Sequence, residues 1–489
     1  MAKNYTPENI TDIYWAYNNG FKVGRDPMGI ENSSVATYGR LLPGITNQTR
    51  HIRYYSFYCW LLNEYDLNQQ QRYKEVPQYN FVRRAELAMA YLMKDRGINA
   101  IPGSNHFAHW NDQETYECNL KADGDREGGG DRYWTWPTGA LGQYYVGSLI
   151  NLKLVRMVNS RFYVLDRGKE LAEAYRNSVP LEARESFIEC IKKGRITIDD
   201  IPDLEPLVID GIIDGSEEYT ALKNILFSQD EDGSTMRKET IDLFLKAVND
   251  KGVKYRDFPS YMYRHWTSEY DKGARFGWYF YFMNEAMHYA QETIFLMILE
   301  KADKNNYHPL PSFISNCVAE ILQHMQKGIE NDTLEDILPF IEEDVATRLE
   351  EVRTSVAEHK YELAASQAVW LMSRVWIEVS PNLLFFERFE DDNDLKRQRG
   401  ILTEALKEYV SNHLNDTIEQ TVRSLIHQVM NDHTIAAYEK MGRSGDNLCK
   451  FMVEDGCIVH IETMYPNLTN PRTQSLYDIL VDLGFITRA

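Results

Sequence analysis

Two arginines stand inside an aromatic segment, LLPGITNQTRHIRYYSFYCWLL, which covers residues 41–62. Arg50 and Arg53 are three residues apart, so in a helix they lie on one face, close to the positively polarised N-terminus. They form a candidate site for an anion or for a nucleic-acid phosphate, framed by the PGIT turn. Tyr54 or Tyr58 would be available for stacking.

The same segment has a second, structural interpretation, which we favour. Thr46 suits a helix start, and the helix that follows has apolar side chains on nearly every face, which predicts burial. Buried arginines need carboxylate partners, and Glu31 or Glu64 are candidates. Cys59, in the same helix, is expected to be a buried and unreactive thiol.

A Glu-x-x-His pair raises the possibility of a metal site. Glu285 and His288, with Glu292 one turn further on, correspond to half of a carboxylate di-iron site. The second half is not found, because Glu320 and His324 are four residues apart instead of three. We therefore interpret His288 as a hydrogen-bonded core histidine.

A looser group of metal-ligand residue types consists of His106, His109 and Cys118. It lacks a fourth ligand at a spacing typical of structural zinc. The sequence therefore predicts no metal site and no cofactor.

An acidic run, ERFEDDNDLKRQR, contains the residue types of a metal-dependent nuclease, which uses acidic side chains and a lysine to hold Mg²⁺ and orient water. Nuclease acids usually project from adjacent strands, whereas this run lies between helical patterns, so a solvated linker is predicted. The residues concerned are Glu387, Glu390, Asp391, Asp392, Asp394 and Lys396.

Motifs for nucleotide hydrolysis and for a serine nucleophile are absent from the sequence. There is no G-x-x-x-x-G-K-[ST], and the glycines of DGDREGGGD are flanked by acids that would repel phosphate. No G-x-S-x-G elbow is present. No catalytic residue is predicted, and the sequence points away from an enzyme.

Charge is distributed unevenly along the 489 residues. The net charge is −20, but residues 1–176 carry +2 and the remainder carries −22. The first third is thus the part that can approach a polyanion, while the acidic remainder opposes non-specific coating of nucleic acid. The alternative is an acidic surface without meaning for partners.

Six cysteines without paired short spacings, and no basic-apolar leader, predict a cytoplasmic protein without disulfides. The longest apolar stretches, FGWYFYFM and TIFLMIL, are shorter than the roughly 20 residues of a membrane helix, so no membrane contact is expected.

Helical periodicity dominates the chain and predicts a mainly α, multi-domain protein. Residues 1–132 are expected to form an N-terminal helical domain, in which the Gly- and Asp-rich stretch 98–132 is an exposed loop. Residues 181–440, with long helical patterns and few prolines, are expected to form a helical body.

Residues 133–180 resemble a winged-helix domain. A predicted helix over residues 137–151 is followed by two short strands, LVRM and RFYVL, joined at Asn159 and Ser160, and then by a helix that starts with DRGKELAEAYR. The resemblance implies DNA binding or protein docking. It places Thr138, Gln143 and Ser148 on the exposed face of the reading helix, and Lys153, Arg156 and Arg161 near the wing. The reading helix has no Lys or Arg, unlike strong DNA readers.

Residues 441–489 are predicted to form a C-terminal unit of three short helices. The last of these helices resembles the last helix of a helix-turn-helix or winged-helix domain. Its expected exposed face consists of Arg472, Thr473, Gln474 and Tyr477. The first 65 residues or so resemble uncharacterised bacterial proteins, some of them from phage-defence operons.

The leading hypothesis is a non-enzymatic DNA-associated or scaffold subunit of a bacterial antiphage system, acting with a separate ATPase or nuclease and with double-stranded DNA. Two alternatives stay open: a metal-dependent nuclease or helical metalloprotein, and a protein-docking adaptor of an ATPase complex. The predicted nucleic-acid-binding residues are Arg50, Arg53, Gln143, Lys153, Arg156, Arg161, Arg472 and Gln474.

Overall fold

The fold is mainly α, as predicted, because most of the described residues are helical and the strands are short. Residues 1–25 of the predicted N-terminal helical domain lie outside the described residues. No helix in the described part of the chain is both long and apolar enough to cross a bilayer. The computed structural model describes residues 26–72, 75–107, 116–128, 133–134, 136–229, 233–304, 307–444 and 448–487.

Two compact units are each assembled from segments that are distant in sequence. The first unit comprises Met1–Thr37 and Phe280–Thr469, and the second comprises Tyr38–Tyr279 and Asn470–Ala489. Their boundaries fall within helices Glu31–Leu41 and Gly273–Lys304. The four domains predicted from the sequence are not tested by this division into two units, and they stay a prediction.

In the second unit the aromatic helix, Arg53–Arg72, is the core element. Its residues 53–62 are all buried, which confirms the predicted burial of the helix and of Cys59. The helix starts later than expected, because the Thr46 amide donates to Thr49 Oγ1 at 2.8 Å and closes a separate turn. Trp60 stacks on Tyr175, with ring centroids 5.2 Å apart.

The other helices of the second unit surround this core. Glu217–Phe227 begins at Ser216, whose side chain accepts the Tyr219 amide, and Leu181–Lys193 ends at Gly194 with φ 75°. The remaining α-helices are Gln78–Met93, Ser104–Phe107, Leu120–Gly124, Val146–Asn151, Asp166–Ser178, Ile201–Leu204, Ser234–Leu245, Phe258–Arg264 and Thr473–Asp482.

Two small antiparallel ribbons belong to the second unit. Glu117–Cys118 pairs with Ile196–Thr197, and Val155–Val158 pairs with Arg161–Val164. The first ribbon corrects the prediction of an exposed loop over 98–132. Within the described part of that stretch, Cys118 and Leu120 are fully buried, because the short strand is held by a partner almost 80 residues away in sequence.

The first unit packs helices around residues 280–304 of the helix Gly273–Lys304. Its one three-stranded sheet in the described residues has Cys457–His460 at its centre, between His308–Pro309 and Phe451–Glu454. The other α-helices that lie wholly in this unit are Leu310–Gln323, Leu334–Ile337, Val345–Ala357, Tyr361–Val379, Leu383–Asp392, Leu402–Tyr409 and Ile418–Ser444.

The prediction of three short helices over 441–489 is wrong except for the last helix, because residues 451–460 form a β-hairpin and residues 461–472 contain no helix. Asp455 and Gly456 have φ of 48° and 73°, which is the backbone of a two-residue hairpin turn. The Asp-Gly pair between β-branched residues was the signal for it. The last predicted helix is confirmed as Thr473–Asp482.

Candidate nucleic-acid interface

The element order predicted for residues 137–178 is confirmed: a helical segment, two paired strands and a second helix. Residues 141–151 form one π-helical turn followed by α-helix, and Asp166–Ser178 closes the motif. Between the strands, Asn159 and Ser160 have φ of 50° and 61°, as a two-residue hairpin turn requires. We call the paired strands Val155–Val158 and Arg161–Val164 the wing. That the motif is a winged helix stays a prediction.

The wing has one buried face and one outward face. Val155, Phe162 and Val164 are buried, in keeping with side chains that alternate along a strand. The opposite face carries Arg156, directly across from Tyr163. The outward face is therefore the one available to a partner.

The outward face of the wing presents an aromatic ring between two guanidinium groups. The Arg156 and Arg161 guanidinium carbons lie 5.6 and 5.1 Å from the centre of the Tyr163 ring. Arg161 also forms an ion pair of 2.9 Å with Asp66, and this hydrogen bond raises the pKa of the Arg161 guanidinium. Tyr163 thus fixes both basic side chains against the ribbon.

Two basic side chains of this region have no acidic partner among the described residues. Arg156 and Lys153 are exposed, and neither forms an ion pair within that part of the chain. The surrounding segment is also basic: residues 133–180 contain six Lys and Arg against three Asp and Glu, a net charge of +3 in a chain of −20. The wing therefore carries an uncompensated positive charge.

The helical segment 141–151 exposes three small or polar residues and one apolar side chain. Gln143, Gly147 and Asn151 are exposed, and Ile150 is 42% exposed. Thr138 and Ser148, predicted to be exposed, are instead 9% and 0% exposed. The reason is the helical period, which places Ser148 on the face that also buries residues 141, 145 and 149.

The arginines of the aromatic segment do not form a phosphate site. Arg53 is 1% exposed and donates to Glu218 from Nε at 3.1 Å and from Nη2 at 3.0 Å. Arg50 donates from Nε to Asp478 Oδ2 at 2.5 Å. The arginines do pair with acids, as the structural interpretation predicted, but the partners are these two instead of Glu31 or Glu64.

The two tyrosines proposed for stacking are equally inaccessible. Tyr54 and Tyr58 are 1% and 0% exposed, and burial raises the pKa of both phenols well above the usual range. Tyr58 donates to Glu86, whose carboxylate also accepts the amides of Ala140 and Leu141. These side chains are part of the core that supports the helical segment.

The predicted exposed face of the last helix is also not exposed. Arg472 lies over the Tyr38 ring at 4.9 Å, and its Nη1 donates to the Leu42 carbonyl at 3.3 Å. Desolvation lowers the pKa of the Arg472 guanidinium. Thr473 is buried, and Gln474 and Tyr477 are only half-exposed.

Glu285, His288 and Glu292 are buried in the first unit and bind protein groups. His288 Nε2 donates to the Gly400 carbonyl at 2.8 Å. The Glu285 carboxylate accepts the Thr469 amide at 2.6 Å, and Glu292 accepts the Asn467 amide at 3.1 Å. This arrangement supports the interpretation of His288 as a hydrogen-bonded core histidine.

The acidic run is not a linker, which corrects the sequence prediction. Four of its acids lie in the helix Leu383–Asp392, and Glu390 is fully buried, where it accepts the Thr403 amide at 3.1 Å. Burial raises the pKa of the Glu390 carboxyl to about 7. Lys396 forms an ion pair of 2.7 Å with Asp391. The acids face different surroundings and do not converge on one position for Mg²⁺.

His106 and Cys118 do come together, in a cluster completed by Asp123. Sequence spacing missed Asp123 because it lies on a separate short helix, and His109 lies outside the described residues.

Comparisons of the chain with models of protein families, with curated proteins and with solved structures gave no match. The functional assignment therefore rests on the geometry of the molecule itself.

Proposed function

We propose that this protein is a DNA-associated, non-enzymatic subunit that contacts duplex DNA through the wing. The observation that carries the proposal is the pair Lys153 and Arg156, exposed and without an acidic partner among the described residues. They belong to a segment of net charge +3 in a chain of −20. An uncompensated basic patch on an otherwise acidic protein directs a polyanion to one surface.

The chemistry of the patch fits phosphate groups better than bases. Lys and Arg side chains bind phosphate oxygens, and such contacts fix position without reading sequence. Tyr163 lies beside Arg156 and keeps its side chain from sampling many rotamers, which lowers the entropy cost of contact. Residues 141–151 contain no Lys or Arg, and their exposed amides able to bond a base edge are those of Gln143 and Asn151. We expect binding with weak sequence preference.

One observation favours a second candidate function, protein docking. Met157 and Val158, at the end of the wing, are 52% and 45% exposed, and apolar side chains at such positions suit a protein surface. In this alternative the wing contacts a partner protein, such as the ATPase or nuclease of the same system.

A salt titration with matched variants tests the proposal. Lys153→Gln/Arg156→Gln is expected to weaken binding to a labelled duplex roughly 10- to 100-fold at low salt and to reduce the slope of log K against log salt by about 2, because two phosphate contacts are lost. Fluorescence anisotropy across a salt series measures both quantities.

The matched control is Lys251→Gln/Arg256→Gln. It removes the same two charges from exposed positions of the same unit, and Arg256 also lies over a tyrosine ring, that of Tyr255, at 5.9 Å. It is expected to leave binding nearly unchanged. Equal losses from both variants, or no binding at low salt, would contradict DNA contact at the wing. Turnover of DNA by the purified protein would contradict the non-enzymatic role.

A further inference from the structure

We propose that His106, Cys118 and Asp123 form a zinc site of the second unit. One donor atom from each residue lies within 4.8 Å of the others. Cys118 is fully buried, whereas the His106 and Asp123 side chains are 16% and 20% exposed. A metal ion can therefore enter from the side of the imidazole and the carboxylate.

The distances between donor atoms approach those of a metal-binding geometry. His106 Nε2 lies 3.3 Å from Asp123 Oδ2, and Cys118 Sγ lies 4.0 Å from the same oxygen. Tetrahedral zinc, with bonds of about 2.0–2.3 Å, separates nitrogen from oxygen by roughly 3.3 Å and sulfur from oxygen by roughly 3.5 Å. The imidazole nitrogen and the carboxylate oxygen are already at the required separation. The thiol sulfur must move about 0.5 Å closer to the carboxylate oxygen.

The donor set selects the class of metal. A thiolate, an imidazole and a carboxylate together suit Zn²⁺, whereas Mg²⁺ and Ca²⁺ prefer oxygen ligands alone. Three protein ligands leave one tetrahedral position for water or a further ligand.

The local fold indicates what a bound metal would stabilise. The three ligands lie on three separate elements: the four-residue helix Ser104–Phe107, the two-residue strand Glu117–Cys118 and the five-residue helix Leu120–Gly124. Elements of this length gain little stability from their own hydrogen bonds. A metal that joins all three adds its binding free energy to that of folding.

Neighbouring groups hold two of the ligands in place. The His106 ring packs edge-on against Phe107 and Tyr133, with centroid distances of 4.9 and 5.3 Å. The Asp123 carbonyl accepts the Tyr133 amide at 2.8 Å, which fixes the backbone that carries the carboxylate. This packing restrains the imidazole and the carboxylate in the absence of metal.

Binding has a defined proton balance. The bond between Cys118 Sγ and its hydrogen breaks, a bond between Sγ and zinc forms, and one proton passes to the solvent. The imidazole binds through a ring nitrogen and the carboxylate through an oxygen, and each donates a lone pair to the ion.

Cobalt titration of the untagged, chelator-treated protein tests the site. One equivalent of Co²⁺ is expected to produce a thiolate-to-cobalt charge-transfer band in the near ultraviolet, and Zn²⁺ is expected to abolish it by displacement. Cys118→Ser removes the sulfur and should eliminate the band. Cys190→Ser, at another buried cysteine of the same unit, is the matched control and should retain it.

Two further variants keep the test valid where Cys118→Ser fails to fold. His106→Gln and Asp123→Asn alter partly exposed positions and should each weaken Co²⁺ binding at least tenfold, with an unchanged circular dichroism spectrum. A protein that gives no band, or a band that persists in Cys118→Ser, overturns the proposal and identifies the cluster as a hydrogen-bonded group only.

Discussion

Arg53→Ala is expected to lower the free energy of unfolding of the second unit by about 3–5 kcal/mol. The substitution removes the guanidinium that binds both oxygens of the Glu218 carboxylate, at 3.0–3.2 Å. Glu218 is 1% exposed, so its charge would stay buried, with the Ser56 hydroxyl, at 2.6 Å, as its one side-chain donor among the described residues. An uncompensated buried charge is among the most destabilising defects in a fold.

Urea denaturation followed by tryptophan fluorescence and circular dichroism measures this effect. The control is Arg96→Ala, which removes exposed ion pairs with Asp210 and Glu205 and should cost less than about 1 kcal/mol. The double variant Arg53→Met/Glu218→Leu removes both charges and should be more stable than Arg53→Ala. A double variant less stable than the single one would show that the lost contacts, and not the unpaired charge, cause the destabilisation.

Glu390→Gln is expected to stabilise the first unit at alkaline pH while changing little in acid. Burial raises the pKa of Glu390 from 4.5 to about 7, so between these values the folded protein binds more protons than the unfolded chain. This raised pKa of Glu390 contributes about 3 kcal/mol to the free energy of unfolding. The contribution is complete below pH 4.5 and is lost as the pH rises through about 7. Glutamine stays neutral throughout. Its amide can still accept the Thr403 amide and can donate to Thr403 Oγ1.

Urea denaturation of both proteins at pH 5 and pH 8.5 tests this prediction. The variant should lie within about 1 kcal/mol of the natural protein at pH 5 and exceed it by about 3 kcal/mol at pH 8.5. Asp392→Asn, at an exposed position of the same helix, is the matched control and should show no such change. A glutamine variant that is less stable at both pH values would instead indicate an ionised Glu390 that stabilises the start of helix Leu402–Tyr409.

The two proposals concern one unit but make independent claims. The first proposal assigns phosphate binding to Lys153 and Arg156, whereas the second assigns zinc binding to His106, Cys118 and Asp123. A result against DNA binding would therefore leave the zinc proposal standing, and a result against zinc binding would leave the DNA proposal standing. If Met157 and Val158 dock a partner protein, variants of these two residues should lose that partner in a pull-down experiment.

Local patterns predicted secondary structure well where neighbouring residues decide it. The aromatic helix, the order of elements in residues 137–178 and the helix Thr473–Asp482 all follow from period, caps and turn residues. The predictions of secondary structure were wrong where a turn or a strand of a few residues interrupts a long helical pattern. Within the predicted helical body, for example, the chain is divided at His359, which adopts φ 59° between the helices Val345–Ala357 and Tyr361–Val379.

By itself the sequence determined that the chain is mainly helical, that the aromatic helix is buried, and that residues 153–161 of the chain are basic. Only the tertiary structure decided which charges are available. It placed Arg53 against Glu218 and Arg472 over Tyr38, left Lys153 without an acidic partner among the described residues, and brought Asp123 to Cys118. Helices and turns depend on residues a few positions apart, whereas ion pairs and ligand clusters depend on contacts between distant segments, which no local pattern encodes.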